Sequence, residues 1–209
     1  MPEDAYTLRI LRVDLTTGEV SEELIDGETT ATWVGGTGLA MKYLWDEVPA
    51  GVKWSDPENR LTFFTGPLAG TRMPGSGTFS VTTLGACTEM CGTAQANGFF
   101  GAFLRQNGID GIIVQGAATE WTRLHVEDGR LHLLPAQHLL GLDTWETEEA
   151  VHREIGKRSS VFSIGPAGEN LVRLPACLRI LPFAHGPVQF VHEADLHLVL
   201  GIDRRETRA

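Results

Sequence analysis

The 209-residue chain has few cysteines, comparatively little positive charge and no long apolar run. Its three cysteines are Cys87, Cys91 and Cys177. An odd number of thiols fits reduced cysteines and a cytoplasmic protein better than a disulfide framework. Lysine and arginine total 17 against 27 acids, a net charge of -10. No basic stripe appears, so nucleic acid and anionic membrane surfaces are poor partners. No run approaches a membrane span. The start, MPEDAYTL, lacks the basic and apolar regions of a signal peptide. There is no Walker lysine, no G-x-G-x-x-G and no G-x-S-x-G nucleophile elbow.

What is abundant is glycine, 24 residues spread along the chain. The spacing is not repetitive, so these glycines mark turns and close backbone approaches, not low complexity. Hydrophobic residues make up 42% and charged residues 21%, ordinary for a globular protein able to bury a core.

Apolar alternation predicts a hairpin of residues 6–15 and 20–25 around TTGE. Residues 27–49 are predicted as a short helix, a glycine break and an amphipathic helix whose Leu39, Tyr43 and Leu44 share a face. Strands are predicted at 60–67, 77–85 and 110–116, with residues 86–98 irregular. A helix is expected from Gly98 to Gly108, and a hairpin over 123–135 around Asp128–Gly129. Asp143 is placed to cap a helix over 143–156. Residues 161–174 are predicted as strand, tight loop, strand, and 194–203 as a last strand. No linker and no long sequence repeat is visible. Hairpins and mixed strands with helices set between them favour an α+β fold over a doubly wound sheet.

Several local patterns have ordinary explanations. GGTGLA (35–40) lacks a preceding apolar strand and a third glycine, and fits a helix-start turn. Cys87 and Cys91 have the wrong spacing for a zinc knuckle and are expected as small apolar side chains near a turn. His185, His192 and His197, with Glu193 and Asp195, are more simply solvent-facing than a metal site.

Three glycine-rich loops follow predicted strands: TGPLAGTRMPGSG (65–77), TAQANGFFG (93–101) and SIGPAGEN (163–170). Each would expose backbone N–H groups on a sheet rim, a surface suited to flat, polyanionic or phosphate-bearing ligands. Simple turn chemistry accounts for the same residues equally well.

Taken in order, RILRVDLTTGEV (9–20), VGGTGLAMKYLWDEVP (34–49), DPENRLTFFTGPLAGTRMPGSG (56–77), NGFFGAFLRQNGIDGIIVQG (97–116), DTWETEE (143–149) and SIGPAGENLVR (163–173) resemble the N-terminal domain of the aldehyde ferredoxin oxidoreductase family. The resemblance covers about residues 7–174 of what is expected to be one domain over 1–209, with a divergent tail at 175–209. It implies two related mixed β-sheets, with short helices, that form a saddle-like base for tungsten held by two pyranopterins. A magnesium ion joins the pterin phosphates in that family, and aldehydes are oxidised to carboxylates with electrons passed to ferredoxin.

Carried over by position, the resemblance implies cofactor contacts at Thr78, Gln95, Ala96, Asn97, Gly98, Gly101, Gly165 and Gly168. Thr78 stands where the family has an arginine on pterin phosphate, and Leu84 where it has a lysine. Gln95 stands at the asparagine that serves magnesium, one methylene longer, with Asn97 a nearby substitute. Losing the arginine removes a charge-assisted contact. After Arg173 the family's second glycine-rich segment is not recognisable, and only AHG (184–186) echoes it. The resemblance assigns no catalytic residue here. The [4Fe–4S] cysteines and the catalytic acid and histidine would come from further C-terminal domains or a cysteine-rich partner chain, and the family often dimerises. A non-catalytic pterin carrier or assembly subunit and a truncated remnant are the alternatives.

Overall fold

The computed structural model describes residues 7–170 and Val172, together with the backbone of three short strands further on. The chain is α+β. Its first six strands are β1 (Leu8–Asp14), β2 (Glu19–Ile25), β3 (Leu61–Thr65), β4 (Phe79–Leu84), β5 (Cys91–Ala96) and β6 (Gly111–Gln115). They form one mixed sheet in the order β2-β1-β6-β3-β4-β5, in which only β1 and β6 run parallel. The remaining strands are β7 (Thr122–Glu127), β8 (Arg130–Pro135), β9 (Ser160–Ile164), β10 (Ala176–Leu178), β11 (Val188–Gln189) and β12 (Leu200–Ile202). They form a second sheet in the order β8-β7-β12-β9-β10-β11, again with one parallel pair, β7 and β12.

The two sheets repeat one topology. Each opens with a hairpin at one edge, then adds three antiparallel strands, then returns a sixth strand parallel to the first. Adding six to each strand number of the first sheet gives the second. The sequence shows no long repeat, yet the chain path is duplicated.

Among the described residues five α-helices fill the connections: α1 (Gly27–Trp33), α2 (Gly36–Glu47), α3 (Phe99–Gln106), α4 (Thr144–Ile155) and the single turn α5 (Pro166–Glu169). Leu39, Ala40, Tyr43 and Leu44 of α2 are buried on one face, at helical spacing. Leu39, Ala40 and Tyr43 pack with Leu8, Ile10, Ile25, Phe64 and Ile113 on one side of the first sheet. Each such aliphatic side chain contributes about 1.5–3 kcal/mol on burial. The other side shares its core with the second sheet and α3. There Phe63, Phe79, Phe100 and Phe162 meet with ring centroids 4.5–6.2 Å apart.

Most predicted elements are present. Asp143 caps α4 by accepting from the N–H groups of Trp145 and Glu146 (both 2.8 Å), and Glu146 reaches back to Asp143 N (3.0 Å). Gly108, at φ 72°, lies just past α3. Two expectations need correction. Residues 91–96, expected to be irregular, form the edge strand β5. Gly92, Ala94 and Ala96 turn inward while Cys91, Thr93 and Gln95 face out, and small polar residues suffice where only one neighbour supplies hydrogen bonds. The loop after β9 contains the helical turn α5, and the strand that follows it is the three-residue β10. Of the last predicted strand, only residues 200–202 fall within the described backbone.

Candidate cofactor-binding site

The end of β5, the start of β4 and the loop at residues 66–77 meet at one rim of the first sheet. The Thr78 hydroxyl is hydrogen-bonded to Gly75 O (2.9 Å) and to the Asn97 side-chain amide. Gln95 lies opposite Ser80 in the β4–β5 register, with its side chain exposed; Ala96, opposite Phe79, is buried. Gly98 adopts φ 130°, a conformation that favours glycine, and starts α3. A Cβ placed on Gly77 would fall 1.8 Å from Gly98 O. One on Gly101 would fall 2.9 Å from Gly77 O. The close approach that Gly77, Gly98 and Gly101 allow within the fold is therefore chain against chain.

Helix starts divide into two kinds. Asp26 caps α1 through Thr29 N (2.8 Å), and Asp143 caps α4. By contrast, α2 begins on Gly35 and α3 on Gly98, with no side-chain cap on either. Their first N–H groups have no side-chain acceptor, and each carries the positive end of a helix dipole. The α2 start lies over β4: a Cβ on Gly36 would be 3.8 Å from Ser80 Oγ. A row of hydroxyls joins it to the edge strand, Thr37 to Thr93 (3.2 Å) and Thr93 to Thr82 (3.1 Å). Two uncapped helix starts thus share a rim with Thr78, Gln95 and Asn97. The predicted helix-start role of GGTGLA is met by Gly35 and Gly36.

Gly165 and Gly168 lie in the second sheet, where β9 ends and α5 begins. A Cβ on Gly165 would be 3.6 Å from Thr144 Cγ2, and one on Gly168 would be 3.0 Å from Ile164 Cβ. Their loop is the counterpart of the loop after β3. Both start Gly-Pro, as Gly66-Pro67-Leu68-Ala69-Gly70 and Gly165-Pro166-Ala167-Gly168. Both close the same turn, Ala69 N to Gly66 O (3.0 Å) and Gly168 N to Gly165 O (2.9 Å). Sequence reading treats these loops as separate. The shared G-P…A-G is the signal that could have linked them, and the duplicated topology explains it.

The remaining candidates fall elsewhere. Cys87 and Cys91 are exposed at the β4–β5 hairpin, not packed as small apolar groups, because the turn carries them away from the core. Burial of part of the Cys91 side chain still raises its thiol pKa. Among the described residues no group of three or more His, Cys, Asp or Glu is arranged to hold a metal ion. His185, His192, His197, Glu193 and Asp195 lie outside the described residues, as does the side chain of Cys177.

Behind the rim, α2 is fastened by ion pairs that sequence reading does not anticipate. Arg12 binds Glu47 and Glu23 (Nε to Glu23 2.5 Å), and Arg60 Nε meets Glu47 at 3.2 Å. Burial pushes the Glu47 carboxyl up, but the hydrogen bond and charge of Arg12, with help from Arg60, outweigh it and hold its pKa below the usual carboxylate value. At the other end of the rim helix α3, Arg105 pairs with Asp110 (2.7 Å), whose pKa burial raises.

A family model described as "Aldehyde ferredoxin oxidoreductase, N-terminal domain" matches residues 10–181. The chain is 37% identical over 171 residues to a tungsten-containing aldehyde ferredoxin oxidoreductase of Pyrococcus furiosus, covering 81% of this chain and 28% of that protein. It is 39% identical over 171 residues to the protein of the same name from Thermococcus kodakarensis, again covering 81% and 28%. The WOR-like subunit of an aliphatic sulfonate oxidoreductase of P. furiosus is 32% identical over 200 residues, covering 87% of this chain and 31% of the subunit. Among solved structures, the active-site complex BamBC of benzoyl coenzyme A reductase, in complex with 1,5-dienoyl-CoA, superposes with a TM-score of 0.87. That match is 29% identical and covers 94% of this chain and 30% of its counterpart. The chain thus spans under a third of the length of these relatives, and it belongs to the aldehyde ferredoxin oxidoreductase family, matching its N-terminal domain.

Proposed function

We propose that the chain is the pterin-holding base of a tungsten oxidoreductase. The observation that carries this reading is the contrast in helix starts. Helices α1 and α4 are capped by aspartate, whereas α2, α3 and the single turn α5 begin on bare glycines, all three in the glycine-rich segments. Main-chain N–H donors at uncapped helix starts fit a phosphate-bearing ligand.

The residues present fit that group. The starts of α2 and α3 offer N–H donors, and Gln95 and Asn97 offer side-chain amides. The Gln95 amide oxygen is a hard ligand of the type magnesium takes. A topology duplicated over two sheets suits a cofactor built of two like halves, and the matching Gly-Pro turns at residues 66 and 165 give each half one loop. Two pyranopterins bound there would supply dithiolene sulfur to tungsten, and the metal would supply the oxidation of aldehyde to carboxylate. Residues 65–77 and 91–101 contain no histidine, aspartate or glutamate, and the acid of the third loop, Glu169, accepts from Gly141 N. The chain therefore binds and orients, while proton transfer and electron exit through [4Fe–4S] to ferredoxin belong to a partner chain or further domains. The same lack of acid–base groups favours, as a second reading, a carrier that delivers pterin without chemistry of its own.

Elemental analysis of protein purified from cells supplied with tungstate tests both readings. Tungsten and magnesium with iron support the enzyme base. Tungsten and magnesium without iron support the carrier. Protein free of tungsten, with no pterin released on denaturation, overturns both.

A further inference from the structure

Between Arg60 and Arg105 the chain has one basic residue, Arg72. That stretch supplies β3, β4, β5, the start of α3 and the loop at residues 66–77. Many basic side chains elsewhere are paired: Arg9 with Glu22, Arg12 and Arg60 with Glu47, Lys42 with Asp46, Arg105 with Asp110, Arg123 with Glu154 and Arg153 with Glu149. The Arg72 guanidinium makes no hydrogen bond and no ion pair among the described residues, although the chain carries 27 acids.

The loop that bears Arg72 is shaped by its own bonds. Gly70 N donates to Ser76 O (2.9 Å), Ser76 Oγ to Thr71 O (2.8 Å) and Met73 N to Thr71 Oγ1 (3.3 Å). On one side it rests against α3, since a Cβ on Gly70 would fall 3.2 Å from Ala102 O. On the other it ends at Gly75, whose carbonyl holds Thr78. An exposed guanidinium is thus carried on a loop that packs on α3 at Ala102 and Arg105 and runs on through Gly77, against Gly98, to Thr78. The other polar groups named at this rim are neutral.

We infer that Arg72 binds the terminal phosphate of the pyranopterin. This rests on the pterin reading above and adds the residue that gives it charge. In a protein of net charge -10, a guanidinium adds to the neutral helix-start N–H donors the one charge-assisted contact for a phosphomonoester at this rim. A guanidinium supplies paired N–H donors matched to phosphate oxygens, which an ammonium does not.

The test uses the 209-residue chain and metal-free pyranopterin, with and without its terminal phosphate, followed by pterin fluorescence. The wild type is expected to prefer the phosphorylated form by about tenfold or more. Arg72→Gln should lose most of that preference, keeping only what the helix-start N–H groups supply, with Tm unchanged because Arg72 makes no hydrogen bond or ion pair among the described residues; Arg72→Lys should lose less of it. Equal binding of both forms by the wild type, or a preference undiminished in Arg72→Gln, overturns the assignment to Arg72 alone. Binding of neither form by the wild type overturns the pterin reading and Arg72 with it.

Discussion

Gly77 and Gly98 touch through backbone alone: a single methyl on Gly77 would lie 1.8 Å from the carbonyl oxygen of Gly98. This contact fixes the loop before β4 against the start of α3, where two of the site loops meet. Gly77→Ala should therefore cost at least the roughly 1–3 kcal/mol typical of overpacking, because backbone cannot swing aside as a side chain does. Gly66→Ala is the comparison, since nothing lies within 4 Å of its added methyl. Urea denaturation should show a clear drop for the first and a change within about 0.5 kcal/mol for the second.

Phe100 couples this junction to the core. It is fully buried and contacts Phe63, Phe79 and Phe162, so it ties α3 to both sheets. Phe100→Ala should cost about 3–5 kcal/mol, and Phe100→Leu distinctly less because most of the volume is kept. Equal losses in urea denaturation would mean that the core had closed around the gap.

Much of this was legible in the chain. Leu39, Tyr43 and Leu44 mark the buried face of α2 because helical spacing is local, and Asp143 with Glu146 marks a helix start for the same reason. The strand β5 was hidden, since Cys91, Thr93 and Gln95 carry no apolar alternation and an edge strand needs none. Contacts such as Gly77 with Gly98 depend on residues 21 apart, which glycine content cannot specify. The duplicated topology survives in sequence only as two Gly-Pro turns, because pairing order is set by backbone hydrogen bonds that many sequences satisfy.

Glu47 makes stability depend on pH. Its folded pKa is held below the ordinary value of 4.5, so the carboxylate is favoured in the folded chain. A depressed carboxyl contributes above its unfolded pKa, and that contribution is lost as pH falls through the folded pKa. Glu47→Gln should therefore cost about 1–2 kcal/mol at pH 7, allowing for partial exposure, and the gap from wild type should close below pH ~4.5. Urea midpoints measured from pH 7 to pH 3 check this. A gap that stays constant would assign the loss to shape, not charge.

Thr93 is the middle of the hydroxyl row and ties the α2 start to the edge strand, a contact that the sequence could not foretell. Its Oγ1 lies 3.2 Å from that of Thr37 and 3.1 Å from that of Thr82. Thr93→Val keeps the shape and β-branching but removes both contacts, and should cost about 1 kcal/mol. The loss should be local. Amides of β5 should exchange with deuterium faster while those of β3 and β6 stay unchanged, because an edge strand opens without unfolding the sheet centre. Thr93→Ser should restore slow exchange by restoring the hydroxyl. If valine leaves β5 exchange unchanged, the ladder to β4 alone holds the strand, and the hydroxyl row does not set the position of Gln95.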